Sequence, residues 1–236
     1  MALILNIDTA TEYASLALAS DDIILSGSKN EEIRDHASWI HNAIRQLMHT
    51  AGYSLSQLDA IAVTAGPGSY TGLRVGMATA KGLCYVLNIP LITESTLKVM
   101  AFGASKPRGH SESKGSNGKP IGNTEQLLVP MIDARRMEVY TAVYNLQLQE
   151  IMPATALVLD PASFEGIEGA PLVCFGSGSA KFRSIATADR FEFINVRPEA
   201  EWLAQLAFQK FQKNEFADIA YTEPLYLKEF YSPAKK

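Results

Sequence analysis

The stretch Leu5-Asn6-Ile7-Asp8-Thr9-Ala10 decides the fold, because it has a counterpart in the second half of the chain, Pro130-Met131-Ile132-Asp133-Ala134-Arg135. Each is a short apolar run that meets an aspartate at a turn, and residues 14–18 after the first fall on 139–143 after the second. A second pair matches in the same order: Val63-Thr64-Ala65-Gly66-Pro67-Gly68-Ser69 lies over Val173-Cys174-Phe175-Gly176-Ser177-Gly178-Ser179. One such match would be chance-level, but two in order predict an internal duplication of strand, Asp turn, strand, and then strand, glycine turn, helix.

The rest of the chain fills in around these marks. Residues 3–7, 13–19 and 22–27 read as an antiparallel meander. The period then changes: Ile33, Ala37, Ile40, Ala43, Ile44, Leu47 and Met48 recur at three- and four-residue steps, which predicts a helix over 34–51 stopped by Gly52. A buried strand at 60–65, a helix at 71–87, a strand at 90–93 and a short helix at 95–103 follow. Residues 105–124 carry Pro, Gly, Ser, Lys and Asn, with Ile121 the apolar exception, and read as a polar flexible insert. Beyond it come strands at 127–132, 138–144, 154–159, 172–175 and 191–196. Pro198 is expected to open a helix bearing Trp202, Leu203, Leu206, Ala207 and Phe211, and the aromatic tail 221–231 to dock. The second half is shorter between its aspartate and its glycine turn, so its version of the first helix should be trimmed. A meander followed by helix-linked parallel strands is the ribonuclease-H-like unit. Two in tandem predict an α/β protein of the actin-like ATPase (ASKHA) fold: an N-terminal lobe at 1–104, the insert at 105–124, and a smaller C-terminal lobe with its docked tail at 125–236. In that plan a nucleotide would lie between the lobes, beside the two Asp turns.

Composition narrows the function classes. The chain has 236 residues, 47% hydrophobic and 19% charged, with 21 Lys and Arg against 25 Asp and Glu. That suits a globular protein with a sizeable core, and a net charge of -4 implies no chain-wide basic face for nucleic acid. Two cysteines, Cys84 and Cys174, are too few for a disulfide framework. The start lacks a basic n-region and meets Asp8 too early for a signal peptide or membrane span, so the cytoplasm is the expected compartment.

Of the motifs, Gly66-Pro67-Gly68-Ser69-Tyr70-Thr71-Gly72-Leu73-Arg74 says most. A glycine turn feeding a helix N-terminus exposes amides to an anion, yet it reads equally as a structural turn capped by Ser69 or Thr71. No Gly-Lys-Ser/Thr closes it as a P-loop. The helix it opens carries Gly72, Gly76, Ala80 and Cys84 at four-residue steps, with Ala78 and Gly82 beside them, a small-residue stripe that predicts close approach of another chain's helix. Metal chemistry is not indicated. His36 and His41 point about 140° apart on a helix, and His41 and His49 lie about 12 Å apart along it, so no pair shares one ion and all three are expected at a surface or interface. Asp8, Asp133, Gly176 and Gly178 outline a candidate degenerate nucleotide cleft, with the alternative that each aspartate caps its own turn. Neither Asp turn has the glycine that lets a phosphate approach, and Glu12 would repel one. An independent actin-like ATPase or small-molecule phosphotransferase is therefore the alternative reading. A peptidase lacks a metal pair and any Ser-His or Cys-His motif.

The chain closely resembles the TsaB (YeaZ) family, on Leu5-Asn-Ile-Asp8-Thr-Ala, Gly66-Pro-Gly-Ser-Tyr-Thr-Gly-Leu-Arg74-Val-Gly76 with Ala80-Lys81-Gly82, Ile132-Asp133-Ala-Arg135-Arg136-Met-Glu138-Val-Tyr140, and Pro224-Leu-Tyr226-Leu. The resemblance runs in order over nearly the whole chain. It implies a subunit without an active site or cofactor of its own, in the machinery that makes N6-threonylcarbamoyladenosine at position 37 of tRNAs reading codons that begin with A. A TsaD-type partner would transfer the threonylcarbamoyl group, and a TsaE-type ATPase would join the pair. The tRNA would be held through the complex, and the isolated chain would form a homodimer. The resemblance also implies that the first two helices meet the partner, which with the stripe nominates Trp39, Ile40, Ile44, Gly72, Val75, Gly76, Thr79, Ala80 and Leu83 as interface residues. The insert departs from the family pattern; Lys106, Arg108, Lys114 and Lys119 against Glu112 make it locally basic.

Overall fold

The computed structural model describes residues 1–32, 35–106 and 126–228. Apart from its first two residues, the insert lies outside them, as does the end of the tail. Strands β1 (Leu3–Asp8), β2 (Ala14–Ser20) and β3 (Ile23–Asn30) form the expected meander. Helix α1 (His36–Ala51), β4 (Ala60–Thr64), α2 (Tyr70–Leu87) and β5 (Leu91–Glu94) complete a five-stranded sheet of order β3-β2-β1-β4-β5. Beyond α3 (Thr96–Ser105) come β6 (Leu127–Asp133), β7 (Glu138–Tyr144), β8 (Glu150–Val158), β9 (Leu172–Phe175), α4 (Ser179–Arg183) and β10 (Phe191–Phe193). These strands repeat the plan as β10-β9-β6-β7-β8, before α5 (Ala200–Gln212). β1 and β6 each pair antiparallel with the next strand and parallel with the strand before the glycine turn. The duplication is thus present strand for strand. No helix stands between β8 and β9, so the counterpart of α1 is trimmed as expected.

Alternation along β1 sets the layers, since successive strand residues face opposite sides. Leu3, Leu5 and Ile7 meet Ile40, Ile44 and Leu47 of α1 and Met77, Ala80 and Cys84 of α2 on one face. Ala2 and Ile4 meet Leu203, Leu206 and Ala207 of α5 on the other. In the second sheet Leu128, Ile132 and Tyr144 face α3, while Val129, Met131 and Val143 face the Phe164, Phe182 and Phe191 cluster.

The sequence-based lobe boundary does not coincide with this packing. α3 is buried on nearly every side: Leu97, Met100 and Ala101 pack on the second sheet, and Val99 and Phe102 on the first. α5, from the C-terminal half, covers the first sheet, and the tail follows it there. Leu225 N–H donates to Ala65 O at 2.7 Å and Ala217 bridges to Leu91. Two smaller differences have local causes. β8 begins at Glu150 rather than 154 because an edge strand tolerates Pro153. α5 begins at Ala200 with Glu199 at its N-cap, so Pro198 precedes the cap instead of occupying the first turn.

Candidate functional site

The glycine segment is a packing joint. Ser69 N–H donates to Ala10 O at 2.7 Å, the Ser69 hydroxyl accepts from Gly72 N at 3.3 Å, and Thr9 Oγ1 donates to Gly72 O at 2.7 Å. A Cβ at Gly68 or Gly72 would collide with the carbonyls of Ala10 or Thr9, and one at Gly76 with Thr9 Oγ1. The glycines are there so that α2 can lie against the β1–β2 turn, with Ser69 as its cap. Of the two sequence readings, the structural turn is the one the hydrogen bonds describe.

This corrects the interface assignment in part. Gly72, Gly76, Ala80 and Cys84 face inward, and Ile40, Ile44 and Thr79 are buried with them in the chain's own first lobe. A residue whose side already meets β1 and β4 has no surface left for another chain. Trp39, Val75 and Leu83 are half-buried at the rim of this core. The outward face of α2 is the other four-residue series, Tyr70, Arg74, Ala78, Gly82 and Val86, with Tyr85 beside it. Tyr85 is 80% and Val86 78% exposed, and a Cβ on Gly82 would meet nothing within 4 Å. The signal was present in the sequence, since Ala78 and Gly82 run at the same period as the buried stripe.

The tail runs beside this face. Arg74 Nε donates to the Tyr226 hydroxyl at 3.2 Å, and the Tyr70 and Tyr226 rings lie 5.1 Å apart. Lys81 Nζ donates to Thr222 O at 3.0 Å, leaving Tyr221 84% exposed. Tyr70, Arg74, Tyr85, Val86, Tyr221 and Tyr226 thus form an amphipathic aromatic surface, the residue chemistry typical of protein contacts.

The two aspartates sit in different surroundings, each with partners of its own. Asp8 is buried; its Oδ1 accepts from Ala10 N at 3.0 Å and from the Thr64 hydroxyl at 2.9 Å, and its Oδ2 is enclosed with no partner among the described residues. Burial pushes its carboxyl above the ordinary range, partly offset by those two hydrogen bonds. Asp133 is exposed, accepts from Arg135 N, and pairs with Lys181 at 2.8 Å. Between the lobes a cavity of about 180 Å³ is lined by Glu12, Tyr13, Met100, Gly176, Ser177 and Arg197, among others. The Arg197 guanidinium sits 4.2 Å over the Tyr13 ring. The volume lies below the roughly 300 Å³ at which small-molecule sites begin. Side chains at Gly176 and Gly178 would strike Met100, Met131 and Val139, so both glycines serve close packing.

His36 also departs from expectation. It is buried, with Nε2 2.9 Å from Thr11 O, so it steadies the β1–β2 turn instead of facing solvent. His41 and His49 are exposed. Among the described residues no group of three His, Cys, Asp or Glu could hold a metal ion, and no helix is long and apolar enough to cross a membrane.

Comparison with known proteins agrees with this architecture. The family model described as TsaD, tRNA N6-adenosine threonylcarbamoyltransferase, matches residues 25–229. The tRNA threonylcarbamoyladenosine biosynthesis protein TsaB of Escherichia coli is 30% identical over 236 residues, covering 95% of this chain and 94% of its own. YeaZ from Pseudomonas aeruginosa superposes with a TM-score of 0.76 at 28% identity, covering 96% of this chain and all of that one (100%). An activator of 2-hydroxyisocaproyl-CoA dehydratase from Clostridium difficile, with bound ADPNP, shares the fold alone: TM-score 0.52 and 8% identity over 90% of this chain and 97% of that one. The two lobes are those of the actin-like ATPase fold, and the chain belongs to the TsaB (YeaZ) family.

Proposed function

We propose that this chain is an assembly subunit of the machinery that forms threonylcarbamoyladenosine in tRNA, working in the cytoplasm. It pairs with a TsaD-type subunit, which transfers the threonylcarbamoyl group to N6 of adenosine 37 in tRNAs reading codons that begin with A. The observation that carries this reading is the exposed Tyr85-Val86 face of α2 in a member of the TsaB family: an aromatic and aliphatic pair held on a rigid helix and left without cover in the isolated chain. Support for a non-catalytic role comes from the cleft. Asp8 is committed to Thr64 and Ala10, Asp133 to Lys181, and the cavity between them is small and holds Glu12. The chain therefore works without a nucleotide or metal of its own. A TsaE-type ATPase joins the pair, and in the absence of TsaD the same α2 face closes a homodimer.

The test is to mix the purified chain with the TsaD-type subunit of the same organism and weigh the product by light scattering. A one-to-one complex that modifies tRNA once the remaining components are added is the expected result. Val86→Glu should prevent that complex while leaving the melting curve of the isolated chain unchanged. Absence of any complex with the unaltered chain would end this reading and make nucleotide turnover by the chain alone the next assay.

A further inference from the structure

The turn between β6 and β7, Asp133-Ala134-Arg135-Arg136-Met137-Glu138, carries a combination that packing does not require. Arg135 and Arg136 both have left-handed backbone, φ 69° and 45°. Glycine or asparagine adopts that conformation at lower cost, and consecutive larger residues held there mark positions kept for what their side chains do. Neither arginine contributes to the core: both are exposed, as is Met137 beside them.

The charge balance around the turn sharpens the point. Asp133 and Glu138 are the carboxylates nearest in sequence, and each is already taken by a lysine from another element. Lys181 of α4 pairs with Asp133 at 2.8 Å, and Lys228 of the tail pairs with Glu138. Four cations, Arg135, Arg136, Lys181 and Lys228, therefore stand against two carboxylates, and the charges left over are the two guanidinium groups. No ion pair, hydrogen bond or ring contact of either guanidinium is present among the described residues. In a chain of net charge -4 this is a local inversion of sign. The turn is also held firmly. Arg135 N donates to Asp133 Oδ1 at 2.6 Å, Ala134 N to Glu138 O at 3.0 Å, and Glu138 N to Arg135 O at 3.1 Å. Asp133 N is fixed to Ser177 Oγ at 3.1 Å, so the turn stands at the edge of the inter-lobe cavity that Ser177 lines.

We infer that the Arg135-Arg136 turn contacts the phosphodiester backbone of the tRNA substrate while the chain sits in its complex. Two adjacent guanidinium groups on a braced turn match phosphate oxygens bidentately and need no base to read, which suits a substrate class rather than one sequence. The contribution is local: two phosphate contacts at most, with the remainder of the RNA held elsewhere in the assembly. The inference rests on the function proposed above.

The experiment uses the assembled complex with the TsaD-type partner and an unmodified tRNA transcript, and follows binding by fluorescence anisotropy from low to high salt. Replacing both arginines by alanine should weaken binding on the order of ten-fold and make the slope of log affinity against log salt shallower by about 1.4–1.8, the loss of two phosphate contacts. The pair Arg135→Asn and Arg136→Gly separates this role from a structural one, because those residues accept the left-handed backbone. It should show the same loss of binding with a melting temperature equal to or above that of the unaltered chain. A lower melting temperature in that variant would make the arginines structural and overturn the inference. So would an unchanged salt slope, or loss of assembly by light scattering, which would assign the turn to an acidic protein surface. If the unaltered complex binds tRNA and the variants bind it equally well, the inference alone fails. If the unaltered chain neither assembles nor supports tRNA binding, the proposed function fails and takes the inference with it.

Discussion

Thr9 lies against Gly76 so closely that its Oγ1 fills the space where a side chain on that glycine would begin, and the same hydroxyl is bonded to Gly72 O at 2.7 Å. The contact joins the β1–β2 turn to α2 and fixes which side of the helix faces inward. Gly76→Leu should therefore cost about 3 kcal/mol, a large part of a domain's stability, and lower the melting temperature of the isolated chain. Gly82→Ala, on the free face of the same helix with nothing within 4 Å, should raise stability by about 0.5–1 kcal/mol. Denaturant titration of the two variants reads both signs. A folded Gly76→Leu monomer of normal stability would return the buried stripe to the interface.

Cys84 provides a chemical check on the same orientation. It belongs to the inward stripe, is 0% exposed, and burial pushes its thiol up to about 11. Neither Cys84 nor Cys174 should react with iodoacetamide at pH 8 until denaturant unfolds the chain, as mass spectrometry would show. Labelling of Cys84 in the folded monomer would mean that α2 presents this face to solvent.

Asp8 should make stability depend on pH. Desolvation raises its carboxyl above the ordinary 3.8 in the folded chain. Its contribution is therefore fully present below about pH 4 and is lost as pH rises through the raised folded value, because the unfolded chain releases that proton first. Unfolding free energies measured at intervals from pH 4 to 8 should fall across that window in the natural chain, and this component should vanish in Asp8→Asn. In the assembled complex Asp8→Asn should keep tRNA modification near the natural level, since the cleft does no chemistry in the proposed reading.

The covering of the first sheet by α5 predicts how the chain can be cut. A fragment of residues 1–104 would leave Ile4, Ala62 and Ile92 without Leu203, Leu206 and Ala207, and it should fail to give a dispersed NMR spectrum or a cooperative melt. In the full chain, Leu203→Ala should cost about 2–5 kcal/mol, because that side chain is completely buried between α5 and the sheet. A stable 1–104 fragment would refute the shared layer.

Tyr226→Ala removes the partner of Arg74 and the ring beside Tyr70. Residues 217–228 should then be cleaved by trypsin at Lys228 several-fold faster, while the melting temperature of the core changes little. Equal cleavage rates would show that the strap is held by Leu225 and Lys81 without the aromatic clasp.

Most elements were legible in the sequence because their causes are local. Period-2 runs around Asp8 and Asp133, the three- and four-residue steps from Ile40 to Met48, Gly52 as a stop and Ser69 as a cap are decided within a few residues. The duplication was legible because both copies kept the residues that a strand, a turn and a tight helix entry require. An antiparallel meander followed by parallel strands in each half was legible from that repeat. Tertiary structure alone decided three things: that α5 covers the first sheet, that α3 is shared between the lobes, and that Gly72, Gly76 and Ala80 face inward while Tyr85 and Val86 face out. Periodicity gives the angle of each stripe around the helix axis and says nothing of the direction in which the sheet lies. Two stripes of small residues at the same spacing are equivalent until Thr9 and Val63 occupy the space beside one of them. The same limit hid the role of Asp8: a sequence shows a carboxylate at a turn, and only the packed neighbours show that one of its oxygens has been sealed from water.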